Sequence, residues 1–369
     1  MDWITHAAMG AAVGEMMLGK RLGNAGMLWG ALFGIAPDLL EWVVGLFLST
    51  AANLAFQGGA THSPLFFALI LFTLPRVLVP RWKRAKIPLP KIRWFLFACW
   101  STHLLTDALS RPGVQVGWPI GFPHLSFNLL GSGDGMLGLF LSIALIPAAM
   151  LRSKKEQAKR RRLWWWGVGL SSAYLAIAIA AKWTVSASFH ADLVRRNVVP
   201  LRRTESPIPW NLLLWRGTVD CGDEIWVAYR SIFQWPDSPV QWTAFPRNRE
   251  AFAAFATTPA VRRMASYSEG WWIARPNKTG VWLADVQAGE SCIWGVRKGM
   301  VDLRFNQAWH FEPGAIGDAV HPIRPESTNR SDTVVKLFWL TFGSQEQWQA
   351  NPRLAGVPGA LPELLRVVE

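Results

Sequence analysis

Charge is what this sequence has little of. Asp, Glu, Lys and Arg make up 17% of its 369 residues and hydrophobic residues 51%, where an average globular domain carries about 25% charged residues. The shortage is local, because long apolar runs fill the first half and are scarce in the second. Cysteine is scarce too, with three in the chain, so no dense disulfide framework is available. The opening stretch lacks the basic n-region and small-residue cleavage site of a signal peptide and is expected to stay in the mature chain. A serine relay is also missing. Ser63 follows His62 directly, and adjacent residues on a helix do not face each other.

What is present is a series of apolar segments, roughly 3–19, 24–48, 64–80, 94–110, 134–151 and 163–183, where a spanning helix needs about 20 residues. The first is short and the second is interrupted by Pro37. The expected fold is therefore an α-helical polytopic membrane bundle of about six hydrophobic helices over residues 1–183, with five crossings if the first segment inserts only in part. A mixed, β-rich extracytoplasmic domain over residues 184–369 is expected to follow.

Two loops hold nearly all the positive excess. "RWKRAKIPLPKIR" (81–93) has six basic residues and no acid, and "RSKKEQAKRRR" (152–162) has seven basic residues and Glu156. Together they supply +12 of the net +13. Such an excess reads as a topology signal that holds both loops in the cytoplasm, so the expected partner is membrane lipid and nucleic acid is not expected. Six alternating crossings would put both termini outside the cytoplasm.

On that orientation the polar residues of the apolar segments gather at the outer level. "DWITH" places Asp2 and His6 there, "APDLLEW" Asp38 and Glu41, "GGATHSP" His62, and "STHLLTDALS" His103 and Asp107 one helical turn apart. The inner ends are expected to carry only Lys and Arg. Ionisable groups in lipid are costly and mark functional sites. Imidazoles and carboxylates converging in a dry site suit a divalent transition metal, zinc first. The expected ligands are His6, Asp38, His62, His103 and Asp107. Glu41 is the candidate catalytic carboxylate, taking the proton from a metal-activated water. Each of His6, His62 and His103 directly follows a threonine, in "ITH", "ATH" and "STH"; the hydroxyls of Thr5, Thr61 and Thr102 could orient the ligands.

Simpler readings exist for each residue. His103 and Asp107 could hydrogen-bond each other and pack helices. Asp38 could cap a helix beginning at Leu39, Glu41 could extend a polar stripe, and His124 could be a surface residue. Asp134 in "GSGDGM" reads as a turn or cap before the fifth segment.

The motifs "DWITHAAMGAAVG", "GIAPDLLEW", "GATHSPLFF" and "STHLLTDALSRPGVQVGWPIG" resemble, in order over roughly residues 1–135, those of the bacterial inner-membrane proteins of the YdjM type, described as metal-dependent hydrolases and as LexA-binding. "SPIPWNLLLW" and "DEIWVAYRSIF" resemble the extracytoplasmic extension of longer members. A second acidic residue follows the family's Pro-Asp, and Glu41 is the nearest match. More distantly, the order of His, Asp, His, His-x-x-x-Asp and a later His is similar to the ligand order of zinc-dependent phospholipase C and the P1-type nucleases. That likeness implies His6, Asp38, His62, His103 and Asp107 as ligands and His124 as a further one. With the membrane segments, the two resemblances imply an integral-membrane hydrolase acting on a phosphoester or other amphiphilic, lipid-like ester, although the enzymes of the distant likeness are soluble. The alternative is a non-catalytic membrane anchor or binding partner whose His/Asp cluster is structural.

The second half reads as strands in "EIWVAYRSIF", "VQWTAF", "GVWLADV", "SCIWGVR" and "TVVKLFWLTF". "REAFAAFATTPAVRRM" reads as a helix or two with Pro259 interrupting. "NLLLWRG" and other tryptophans could rest on lipid, although core packing is commoner. His190, His310 and His321 lack ligand spacing, and Cys221 with Cys292 could form a disulfide in an oxidising compartment.

Overall fold

The computed structural model describes residues 2–48, 52–53, 56–120, 124–277, 280–289, 307–311, 321–323, 338–343 and 366–368. The chain divides into two units, one comprising Met1–Phe47, Phe56–Ala180 and Ile208–Leu212, the other Leu48–Ala55, Ala181–Pro207 and Leu213–Glu369.

The first unit is built on a helical hairpin. Helix α1 (Trp3–Leu22) starts where the Asp2 carboxylate accepts the Thr5 N–H at 2.9 Å, the usual N-cap bond. It stops at Gly23, whose φ of 57° and ψ of −134° suit glycine, and α2 (Asn24–Gly45) begins at the next residue. The helices then run antiparallel with glycine against glycine. A Cβ on Gly10 would collide with the Gly30 carbonyl, one on Gly14 with the Gly26 carbonyl, and one on Gly34 with the His6 carbonyl. Small residues let backbones approach this closely in membrane bundles.

Helix α3 (Pro64–Arg81) is capped by Ser63, whose Oγ accepts the Phe66 N–H at 3.2 Å and donates to the Ala60 carbonyl. The serine beside His62 is thus a helix cap. Helices α4 (Leu89–Ala108), α5 (Met136–Met150) and α6 (Gln157–Arg195) follow. Asp134 accepts the Met136 N–H at 2.9 Å and the Tyr174 hydroxyl at 2.7 Å, so it caps the chain entering α5. Cores form where α1 meets α4 around Val13, Leu18, Phe95 and Cys99, and where it meets α5 around Ala8, Ala12, Leu141 and Leu145.

Six crossings, or five, are not what the structure supports. Among the described residues, three helices are long and apolar enough to span a membrane: α2, α3 and α6. Helix α1 carries Glu15, Lys20 and Arg21, and α4 carries Lys91, Arg93, His103 and Asp107, which dilute their apolar character. Helix α5 has 15 residues, or about 22 Å, short of the roughly 30 Å hydrocarbon core. Leu28, Leu69, Phe72 and Ile177 on the three spanning helices are exposed, as lipid-facing side chains are. Pro37 does not break the second segment either, since α2 continues through it to Gly45 and Asp38 lies inside the helix rather than at its cap. The end of α1 distant from His6 is also not purely basic. Buried Arg160 donates to both oxygens of Glu15, through Nε at 2.5 Å, and to Asn24 Oδ1 at 2.6 Å.

The second unit is not a clearly β-rich domain but two small antiparallel sheets with short helices. Strands β1 (Arg202–Ile208), β2 (Asn211–Asp220), β3 (Glu224–Ser231) and β4 (Trp242–Pro246), then α7 (Arg249–Ala253) and α8 (Pro259–Tyr267), precede β5 (Trp272–Asn277), β6 (Gly280–Asp285), β7 (Ala308–Phe311), β8 (His321–Ile323) and β9 (Arg366–Val368). The sheets have the orders β1-β2-β3-β4-β9 and β5-β6-β7-β8. The last turns of α6 pack Val185, Phe189 and Leu193 against Trp215, Trp226 and Trp242 of the first sheet. Trp215 of "NLLLWRG" is therefore core, fully buried rather than on lipid. Pro259 opens α8 instead of interrupting it. Of "TVVKLFWLTF", residues 338–341 are helical, because Phe-Trp-Leu lacks the alternation of a half-buried strand. "SCIWGVR" and Cys292 lie outside the described residues. Burial and the carboxylates of Asp220 and Glu224 push the Cys221 thiol up to about 11. His190 is exposed, and the His310 ring lies tilted beside that of Trp282, with centroids 5.6 Å apart.

The glycine contact gives a test. Gly30→Leu should force α1 from α2 and lower stability in detergent by about 1–3 kcal/mol or more, whereas Gly169→Leu on α6, where an added Cβ meets nothing within 4 Å, should be near neutral. Equal melting shifts for the two would remove the packing argument.

Candidate metal centre

Four elements deliver the polar groups to one point. His6 comes from the first turn of α1, Asp38 from α2, His62 from the short 3-10 turn Ala60–His62, and His103 with Asp107 from successive turns of α4. One ligand atom from each of His6, Asp38, His103 and Asp107 lies within 4.8 Å of all the others, which makes a cluster able to coordinate a metal ion. His62 joins it, with Nε2 3.2 Å from Asp107 Oδ2, 3.6 Å from Asp38 Oδ1 and 2.9 Å from His103 Nε2. His6 Nε2 is 3.0 Å from Asp107 Oδ1 and 3.4 Å from Asp38 Oδ2, and His103 Nε2 is 3.3 Å from Asp107 Oδ2. Donors about 2.1 Å from a tetrahedral zinc ion stand about 3.4 Å apart, so these spacings are those of a coordination shell.

The outer partners fix which nitrogen of each imidazole bears the proton. His103 Nδ1 lies 2.6 Å from the Gly34 carbonyl, which only accepts, so Nδ1 carries the hydrogen. His62 Nδ1 lies 3.1 Å from Glu41 Oε1 and donates to it. Thr106 Oγ1 gives its own proton to the Thr102 and His103 carbonyls, leaving a lone pair to accept from His6 Nδ1 at 3.2 Å. In the neutral rings all three Nε2 atoms then present lone pairs inward. Two such lone pairs 2.9 Å apart, on His62 and His103, repel unless one ring takes a proton or a metal ion lies between them.

The electrostatics of His62 point the same way. Burial opposes its charged form, yet bonds to Asp107, Asp38 and Glu41 raise its pKa well above that of a free histidine. The pocket demands positive charge, and a proton or a metal ion can supply it.

The two other expected residues, Glu41 and His124, have these partners. Glu41 Oε1 accepts from Gly58 N at 2.8 Å and Thr61 Oγ1 at 2.9 Å as well as from His62. It stands behind His62, away from the inward Nε2. His124 Nε2 lies 2.8 Å from Gln115 Nε2, in the loop whose Gln115 N–H donates to the Gly58 carbonyl. Among the threonines, Thr61 does touch its neighbour His62, but Thr5 bonds Asp2 and Thr102 bonds the carbonyls of its own helix. Thr106 and the Gly34 carbonyl were not anticipated. The spacing His103, Thr106, Asp107 held a signal for the first, since i and i+3 share a helix face. A backbone carbonyl has no signature in sequence.

The geometry defines a membrane-embedded protein with a buried His/Asp cluster able to hold a divalent metal. The family described as YdjM inner membrane protein matches residues 1–185, more than half of the chain, and the chain belongs to that family. Comparison with curated proteins and with solved structures returned no match. Family and spanning helices together indicate a multi-pass inner-membrane location.

If the cluster holds metal, folded His62→Ala, His103→Ala and Asp107→Ala proteins should lose bound zinc by elemental analysis, and Ser63→Ala should keep it. Thr106→Val, which leaves every ligand in place, should weaken binding about 10- to 100-fold, and affinity should rise with pH as protons leave the imidazoles. Full stoichiometry in all three ligand variants would end the assignment.

Proposed function

We propose that the chain is an integral-membrane, metal-dependent hydrolase acting on a phosphoester or other lipid-like ester. The observation carrying this reading is the convergence of the Nε2 atoms of His62 and His103, 2.9 Å apart, beside the carboxylates of Asp38 and Asp107. His6, Asp38, His62, His103 and Asp107 would hold the ion, and three imidazoles with two carboxylates suit zinc or a similar divalent metal. When bound, such an ion supplies Lewis acidity and an activated water.

The chain's own residues do the rest. Gly34, Thr106 and Glu41 hold the three rings in their ligating tautomers. Glu41, expected as the proton acceptor, fits better as a positioning residue, because its Oε1 is already shared by three donors. Asp38 is the most exposed member of the cluster, with 17% of its side chain accessible against 0% for His103, so substrate would approach from its side. The ligand order, similar to that of zinc-dependent phospholipase C, supports a phosphoester.

Orientation follows from charge with three crossings as well. Lys20 and Arg21 precede α2, residues 81–93 follow α3, and residues 152–162 lead into α6. Alternating spans put these three ends on one side, the cytoplasm, and the chain beyond α6 outside it. We take residues 1–183 and 184–369 as the membrane and extracytoplasmic domains.

Purified protein in lipid nanodiscs should cleave at least one of a phosphodiester, a phospholipid and an acyl ester, lose the activity with a chelator and regain it with zinc. Metal-loaded protein inactive on the whole panel would favour an anchor. In intact cells, single cysteines introduced in 152–162 should resist an impermeant maleimide, while one at exposed Arg249 should react; labelling of the basic loop from outside would reverse the orientation.

A further inference from the structure

We propose that an aromatic patch of the second unit, made by Phe233, Trp235, Phe338 and Phe342, inserts into the interfacial layer of the bilayer at the end of α6. The patch is continuous. The Phe233 and Phe342 rings stack with centroids 5.7 Å apart, and the Phe338 ring lies 4.7 Å from that of Phe342. The Ser231 hydroxyl bonds the Thr341 carbonyl and so fastens segment 338–343 beside residues 231–235. Trp235 is 83% exposed, and Phe233, Phe338 and Phe342 each expose more than half of their surface. In the same unit Trp215 and Trp242 are fully buried, so core packing does not account for these four.

Position supplies the occupant. The loop bearing Trp235 is tied to the last turns of the spanning helix. Ser188 Oγ donates to the Pro236 carbonyl at 2.8 Å, Arg195 Nη1 to the Asp237 carbonyl at 3.1 Å, and the Asp192 carboxylate accepts the Val240 N–H at 3.1 Å. The apolar run of α6, 163–183, is about 30 Å long, one hydrocarbon thickness. Ser188 lies five residues beyond Trp183, hence about 8 Å past that boundary along the helix. A headgroup layer is roughly 5–8 Å deep on each side, which puts the loop at its level. Trp is enriched at that level. The Arg195 side chain, 43% exposed, offers a cation to lipid phosphate beside the rings.

The experiment uses the full chain in vesicles of phosphatidylethanolamine and phosphatidylglycerol. Trp235→p-benzoylphenylalanine and Phe342→p-benzoylphenylalanine variants are irradiated and read by intact-protein mass spectrometry. Phe72→p-benzoylphenylalanine, on exposed α3 surface, is the positive control and Arg249→p-benzoylphenylalanine the negative one. Both patch variants should gain the mass of one phospholipid, as the Phe72 variant does, and the Arg249 variant should not. A cross-link to a second copy of the chain, or no adduct at either patch position while the Phe72 variant reacts, would overturn the proposal.

Discussion

Everything at the candidate metal centre depends on how closely α1 and α2 approach. The contact is backbone on backbone, glycine against glycine, and no side chain larger than hydrogen fits at Gly10, Gly14, Gly30 or Gly34. Two features of the site follow directly. His6, at the start of α1, comes level with Asp38 near the end of α2, and the Gly34 carbonyl is free of any covering side chain, so His103 Nδ1 can reach it at 2.6 Å. A wider hairpin would move His6 from Asp38 and leave the His103 ring without the acceptor that fixes its tautomer.

Closeness alone would make an unfavourable pocket. Buried carboxylates next to inward lone pairs have no water to share, and like poles face each other at His62 and His103. Each outer bond, to Gly34, Thr106 and Glu41, makes this worse for an empty pocket by holding the proton on Nδ1 and away from the centre. The same bonds make the pocket a better cation ligand by removing the need to reorient rings on binding.

Much of this was legible in the sequence because lipid-soluble helices make polar residues conspicuous. His6, Asp38, His62, His103 and Asp107 each stand out against apolar neighbours, and the His-x-x-x-Asp spacing gives one face of a helix. The number of crossings was not legible, because hydropathy read in segments ignores the dilution of α1 by Glu15 and α4 by Lys91 and Arg93, and α5 is simply short. Pro37 misled in another way: a proline suggests a helix end, but α2 tolerates it and so carries Asp38 on the helix itself. Pairings across long separations, such as Arg160 with Glu15, have no local signal at all.

That last pair matters for how the basic loops and the metal centre coexist. Seven basic residues precede the apolar part of α6, and most stay solvated, but Arg160 is drawn in, where Glu15 and Asn24 satisfy its guanidinium. Asn24 sits just after the Gly23 turn, so the arginine clamps the closed end of the α1–α2 hairpin. His6 and Asp38 occupy its open end. Nothing covalent joins α1 to α2 there, and the open end is held by the glycine contact and by the close approach of His6 to Asp38. The hairpin is thus clamped by an ion pair at its closed end, while its open end carries the cluster able to hold a metal ion.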